Sequence, residues 1–327
     1  KVSRIVLIYH SNESNMAFTI DTIDIENLQY VRLNDSETQS FIEISTKGGL
    51  LNTWLIKDLT KNLNIIASND FDNGWGNFEA NGFKSGKMSP FACRLNNGSY
   101  TYKGESHKMN KFYLGVHAIH GILYDAPFSI IATKITNENA TLVLQHEYKG
   151  EEEGFPFNYS MQITWILNKN NLVTVQTLVT NNSQQTIPMA DGWHPYFNLG
   201  SSIDNCTLSF HCKGQLDYDV DLLPTGKMIE EHTFEKGKLL NGIALDNGYL
   251  MNEKDNYCSI ENELYKLVVT PSKNYSYLQL YTPPDRKSIA IENLSGAPDC
   301  FNNKMGLHEL QPQEKIIFET AYQFIKK

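Results

Sequence analysis

Polar and apolar residues alternate with a period of two through most of this chain, and turn-forming residues separate the alternating runs. Residues 41–45 form one such run, closed by Lys47-Gly48-Gly49, and residues 99–102 form another ahead of Lys103-Gly104. Two longer runs, 159–167 and 172–180, flank Asn168-Lys169-Asn170-Asn171, a spacing that predicts a β-hairpin. Runs at 206–210, 266–270, 277–281, 288–291 and 315–324 read as further strands. Helical periodicity is hard to find; a short turn near residues 228–234 is the best place for one. No linker, fixed-period repeat or low-complexity tract breaks the pattern. The expected fold is all-β: one large antiparallel β-sandwich domain over residues 1–327.

Composition narrows the function. The chain has 327 residues, 41% hydrophobic and 20% charged, enough to bury a large core. A formal net charge of -9 without any Lys/Arg block argues against nucleic-acid binding. No apolar run approaches the roughly 20 residues of a membrane span, so no membrane partner is expected. Residues 1–9 hold only a short apolar stretch, Ile5-Val6-Leu7-Ile8, without a small-residue cleavage pattern, and make a poor signal peptide. Cys93, Cys206, Cys212, Cys258 and Cys300 are odd in number and scattered. That suits reduced thiols in a cytoplasm better than disulfides or a zinc site.

Several motifs fail on inspection. Gly74 and Gly76 in Asn73-Gly74-Trp75-Gly76 follow no clear strand and open no helix, which argues against a dinucleotide loop. Asp217-Tyr218-Asp219-Val220-Asp221 begins like a calcium loop but has Leu222 at position six and Met228 at position twelve. His117 and His120 have helical metal-ligand spacing in surroundings rich in strand signals. Glu151-Glu152-Glu153 reads as a solvated turn. No metal or organic cofactor is expected.

The stretch Asp191-Gly192-Trp193-His194-Pro195-Tyr196-Phe197-Asn198-Leu199-Gly200 carries more chemistry. It sets one imidazole among flat aromatic rings against which a sugar could lie, and Pro195 biases His194 toward extended backbone. Imidazole exchanges a proton readily near neutrality. Arg94 stands in an apolar run before a turn, where its guanidinium could fork onto hydroxyls. His120 precedes Gly121, a residue that admits close approach of backbone or ligand. Asp246 sits in a turn-like segment, Gln279 and Tyr281 share one strand face, and Glu292 ends an apolar strand. A carboxyl group enclosed there would be raised enough to act as a base near pH 7.

In this order the segments resemble the aldose 1-epimerase (galactose mutarotase) family. The resemblance rests on Arg94-Leu95, His120-Gly121, His194-Pro195-Tyr196-Phe197-Asn198-Leu199 and Leu222-Leu223-Pro224-Thr225-Gly226, then on Asp246, Gln279-Leu280-Tyr281-Thr282, Ile291-Glu292 and Leu310-Gln311-Pro312-Gln313-Glu314. It implies a galactose mutarotase-like supersandwich and a monosaccharide substrate, a hexose whose anomers are interconverted by acid/base ring opening. It also implies Glu292 as base and His194 as acid, with Arg94, His120, Asp246 and Gln279 holding hydroxyls. Cys93 stands where the family usually has Asn. The wording Gly192-Trp193-His194-Pro195 is closer to a divergent branch that includes hexose-6-phosphate epimerases. A phosphorylated substrate would call for further cations beside Arg94, such as Lys103, Lys108, Lys111 or Arg286, and a non-catalytic sugar-binding sandwich is the other alternative. Monomer and homodimer are equally compatible with the sequence.

Overall fold

The computed structural model describes residues 5–8, 16–25, 28–58, 61–69 and 81–327; Asn73-Gly74-Trp75-Gly76 lies outside the described residues. Three antiparallel sheets dominate the fold, and together they form a β-sandwich. The first is a meander in chain order from Ile5–Ile8 through Phe18–Ile25, Leu28–Asp35, Ser40–Ser45 and Leu51–Lys57 to Asn62–Asn64. A nine-stranded sheet runs from the edge strand Ser129–Ile135 through Asn139–Lys149, Asn158–Asn168, Leu172–Asn181 and Lys315–Lys326 to Tyr265–Pro271 and beyond. An eight-stranded sheet places Asp246–Met251, Tyr277–Tyr281, Ile289–Leu294 and Gly192–Trp193 side by side, with Lys87–Met88 at its edge.

The period of two explains which face is buried. Along Asn158–Asn168 every second side chain is covered: Tyr159, Met161, Ile163, Trp165 and Leu167. The expected hairpin is present, and its Lys169–Asn171 turn holds Asn170 and Asn171 at φ 63 and 55, a left-handed geometry that Asn tolerates better than most residues. The inner face of the nine-stranded sheet backs both other sheets. Trp165 meets Trp193 at 5.4 Å, Tyr322 meets Phe197 at 5.4 Å, and Phe324 meets Trp54 at 6.4 Å. Burying a side chain the size of Phe contributes about 1.5–3 kcal/mol, so this layer anchors the strands that carry the site.

Three local expectations are corrected. The strand expected at 288–291 is Ile289–Leu294, because Glu292 and Asn293, which break the apolar run, are themselves buried. Residues 228–234 form no helical turn: Met228 and Ile229 belong to the strand Pro224–Ile229, whose ladder with Cys212–Tyr218 outweighs local helical preference. Asp246 opens the strand Asp246–Met251 rather than sitting in a turn. Among the described residues the α-helix is limited to one turn, Cys300–Asn303.

The acidic segment after Gln215 is used structurally. Asp217 accepts a hydrogen bond from the Thr225 hydroxyl at 2.7 Å, and Asp219 caps its own turn by accepting from the backbone of Asp221 and Leu223 at 2.9 and 3.0 Å. All five cysteines are free thiols. No helix among the described residues is long and apolar enough to cross a membrane.

Candidate active site

One face of three neighbouring strands builds the site. The registers Asp246↔Tyr281, Gly248↔Gln279, Gln279↔Glu292 and Tyr281↔Ala290 put these six residues on the same side. Asp246, Gln279, Tyr281 and Glu292 on this face line a hollow. Leu278, Leu280, Ile289 and Ile291 alternate to the other face and enter the hydrophobic core. The hollow is a cavity of about 260 Å³, and Arg94, His120, His194, Asp246, Gln279 and Glu292 all line it. Every site residue expected from the sequence is therefore brought to one place.

His194 reaches it from a fourth segment. Gly192–Trp193 and Tyr196–Phe197 both pair with Ile289–Leu294, with registers Gly192↔Leu294 and Tyr196↔Ala290. Continued between those points, the ladder sets His194 opposite Glu292. The Pro195 carbonyl accepts from Ile291 N at 3.2 Å, while His194 bonds outward, donating to Gly86 O at 3.1 Å and accepting from Ser85 N at 2.8 Å. The imidazole stacks on Tyr196 (5.0 Å, 17°) and meets the edge of His120 (5.0 Å, 89°). Its Nε2 lies 3.3 Å from Glu292 Oε1.

Burial governs the protonation of this pair. His194 is pushed down to about 4 by loss of water. The Glu292 carboxyl is pushed well above the usual carboxylate range by the same cause, with the charge of Asp246 adding to it. His120 is held well below the ordinary imidazole range by burial, reinforced by His194 and Arg94. Glu292 Oε2, His194 Nδ1 and His120 Nδ1 are buried and have no hydrogen-bond partner among the described residues.

A second hydrogen-bonded chain fixes the opposite wall. The Tyr218 hydroxyl donates to Gln279 Oε1 at 2.9 Å, and Gln279 Nε2 donates to Asp246 Oδ1 at 2.9 Å. Gly248 makes room for this chain, since a Cβ there would stand 2.1 Å from the Tyr218 hydroxyl. Arg94 follows Cys93, whose thiol is buried in the lining and whose backbone is left-handed at φ 52. The Cys93 carbonyl accepts from the His120 amide at 2.9 Å, and His120 is left-handed as well, at φ 59. Left-handed backbone costs a Cys or His about 1–2 kcal/mol, and the cross-bond between the two segments holds it in place. The close approach anticipated at Gly121 is real: an added Cβ would lie 2.1 Å from Ser89 O.

Sequence reasoning missed Tyr218, Phe83 and Leu114. Tyr218 is hidden in a segment whose acids draw attention, and nothing in the pattern marks the other two as cavity residues. The phosphate-binding set does not assemble. Arg286 is spent on Asp204 (2.8 Å) and on the carbonyls of Leu240 and Ile243, while Lys103, Lys108 and Lys111 are exposed and absent from the lining. Among the described residues Arg94 is the cation of the cavity wall.

Chemically, the arrangement offers an acid and a base in contact within a hollow edged by hydroxyl-binding groups. The family model of aldose 1-epimerase matches residues 30–323 of the chain. The uncharacterized protein YihR of Escherichia coli (strain K12) is 23% identical over 227 residues, 67% of this chain and 72% of that protein. A galactose mutarotase-like protein from Clostridium acetobutylicum superposes with a TM-score of 0.84 at 19% identity, covering 96% of this chain and 100% of its own. The galactose 1-epimerase of Lactobacillus acidophilus NCFM superposes with a TM-score of 0.76 at 18% identity, covering 100% and 99%.

Proposed function

Because this chain belongs to the aldose 1-epimerase family, we propose that it interconverts the α and β anomers of an unphosphorylated hexose by opening and reclosing the ring. The observation that carries this reading is the 3.3 Å contact between His194 Nε2 and Glu292 Oε1 inside the cavity. The two oxygens that exchange protons in a cyclic hemiacetal are bonded to the same carbon, so their acid and base must be near neighbours. Glu292 takes the proton of the C1 hydroxyl while His194 delivers one to the ring oxygen, and the bond from C1 to the ring oxygen breaks. The aldehyde turns about C1–C2, then both proton transfers run backwards on its other face. One proton enters and one leaves the pair in each half-reaction, so the enzyme returns to its starting state.

The remaining groups position the ring. Arg94 and His120 donate to hydroxyls from one side, while Asp246, oriented by Gln279, accepts from the other. Tyr196 and Tyr281, whose rings meet at 6.3 Å and 88°, supply apolar surface. Arg94 as the cation of the wall among the described residues supports a neutral sugar over a sugar phosphate.

Polarimetry of freshly dissolved α-D-glucose and α-D-galactose tests the reading. The expected result is approach to equilibrium rotation well above the buffer rate for at least one sugar, with weak competition from glucose 6-phosphate. A folded protein that accelerates neither sugar would sink it.

A further inference from the structure

Buried beside the site is a charged cluster that takes no part in the proton transfers. Lys87 and Asp191 are both fully buried, with Lys87 Nζ 2.5 Å from Asp191 Oδ1. The same ammonium donates to Gly192 O at 3.1 Å and stands 4.3 Å from the centre of the Trp193 ring. The Tyr275 hydroxyl donates to Asp191 Oδ1 at 2.6 Å. Asp191 is also tied through its backbone, donating to Ser295 Oγ at 2.8 Å and accepting from Ser295 N at 2.9 Å.

The cluster therefore joins three segments at one point. Lys87 follows Gly86, whose carbonyl holds the His194 amide, and its strand pairs Trp193↔Lys87. Asp191 stands three residues before His194, and Ser295 three residues after Glu292, on the same antiparallel ladder. We propose that the Lys87–Asp191 ion pair is a positioning device that sets the spacing of His194 against Glu292. A fully buried ion pair is a costly way to gain stability, because desolvation offsets most of the attraction. What it supplies is geometry: three donors on one ammonium, directed at a carboxylate, a carbonyl and a ring that all belong to residues 191–193. This rests on the proposed acid/base roles, since spacing matters only if the pair passes protons.

The test is the double variant Lys87→Met with Asp191→Asn, which removes both charges and leaves no orphaned ion in the core. Misplacement of reacting groups by about 1 Å costs about 100-fold, so kcat is expected to fall about 10–100-fold while KM changes less than about threefold. The titration of His194, followed by NMR of its ring, is expected to move up toward the ordinary imidazole range as its packing loosens. A folded double variant with kcat and His194 titration both unchanged overturns the proposal. If the double variant does not fold, Tyr275→Phe decides, since it deletes a single bond to Asp191 and keeps the ring: a smaller loss of kcat with the same direction of titration shift supports the device, and no change in either refutes it. A parent protein without mutarotase activity would sink the catalytic reading alone, because the NMR titration reports on positioning without turnover.

Discussion

Glu292 Oε1 faces His194 Nε2 at 3.3 Å, and both side chains are almost wholly withdrawn from solvent. A pair so placed has three protonation states, and only the one holding a single proton is electrically neutral as a unit. Burial penalises both charged alternatives. Adding a second proton is resisted because the imidazole is pushed down to about 4, and removing the first is resisted because the carboxyl is pushed up. These shifts rest the single proton on Glu292; with that proton moved across the 3.3 Å contact to His194, the same singly protonated pair presents the base and the acid that the proposed ring opening requires.

The first prediction is a broad bell in kcat/KM against pH. Activity falls on the acid side as the pair takes up its second proton near pH 4, and on the alkaline side only above the ordinary carboxylate range. Polarimetric rates from pH 3.5 to 9, corrected for the buffer-catalysed reaction, check it. A flat profile would contradict the two-group scheme.

Removing either member should separate chemistry from binding. Glu292→Gln and His194→Gln are expected to lower kcat about 10²–10⁴-fold, the usual contribution of a placed proton-transfer group, with far smaller changes in KM. Both substitutions exchange a buried ionisable group for a neutral amide, so thermal unfolding should stay near the parent's. A loss of activity that tracks a loss of folded protein would count against catalytic roles.

Much of this was legible in the sequence, for reasons that differ by element. Strands such as Tyr277–Tyr281 and Lys315–Lys326 are marked by alternation because one of their faces meets the core. The six polar site residues were legible as a set through their ordered resemblance to the aldose 1-epimerase family, since Arg94, His120, Asp246, Gln279 and Glu292 each read alone as ordinary strand or turn residues. Glu292 was misplaced to a strand end because a buried carboxylate looks like a boundary when only its neighbours' apolarity is read. Tyr218 was invisible, since a tyrosine in a strand is ordinary and its bond to Gln279 spans 61 residues. Asp191 opened the most informative segment but drew no role, because its partner Lys87 lies 104 residues away and nothing local announces a buried ion pair.

The wall built from Tyr218, Gln279 and Asp246 yields a prediction about binding. Tyr218→Phe deletes the donor that orients the Gln279 amide, a bond worth about 0.5–1.5 kcal/mol, so KM should rise about 3–10-fold with kcat nearly unchanged. Gly248→Ala should act through the same bond, because its Cβ would fall 2.1 Å from the Tyr218 hydroxyl and 3.0 Å from Gln279 Oε1. Combined, the two should cost much less than the sum of their separate effects. Additive losses would show that the residues act independently.

Acid stability provides the last prediction, through His120. Its imidazole is buried, faces His194 and Arg94, and is held well below the ordinary range. In the unfolded chain it titrates near 6.5. Between that value and its lower folded value the unfolded state binds the extra proton, so stability rises with pH through this window. His120 therefore contributes its full share above about pH 6.5, and that share is lost progressively as the pH falls. His107 and His308 are also lowered by burial and add to the same slope. His120→Gln should consequently flatten, without abolishing, the fall in melting temperature between pH 7 and pH 4.5, and calorimetry of the two proteins side by side measures it. Parallel curves would mean that His120 titrates in the folded protein as it does in the unfolded chain, contrary to its burial against two other basic groups.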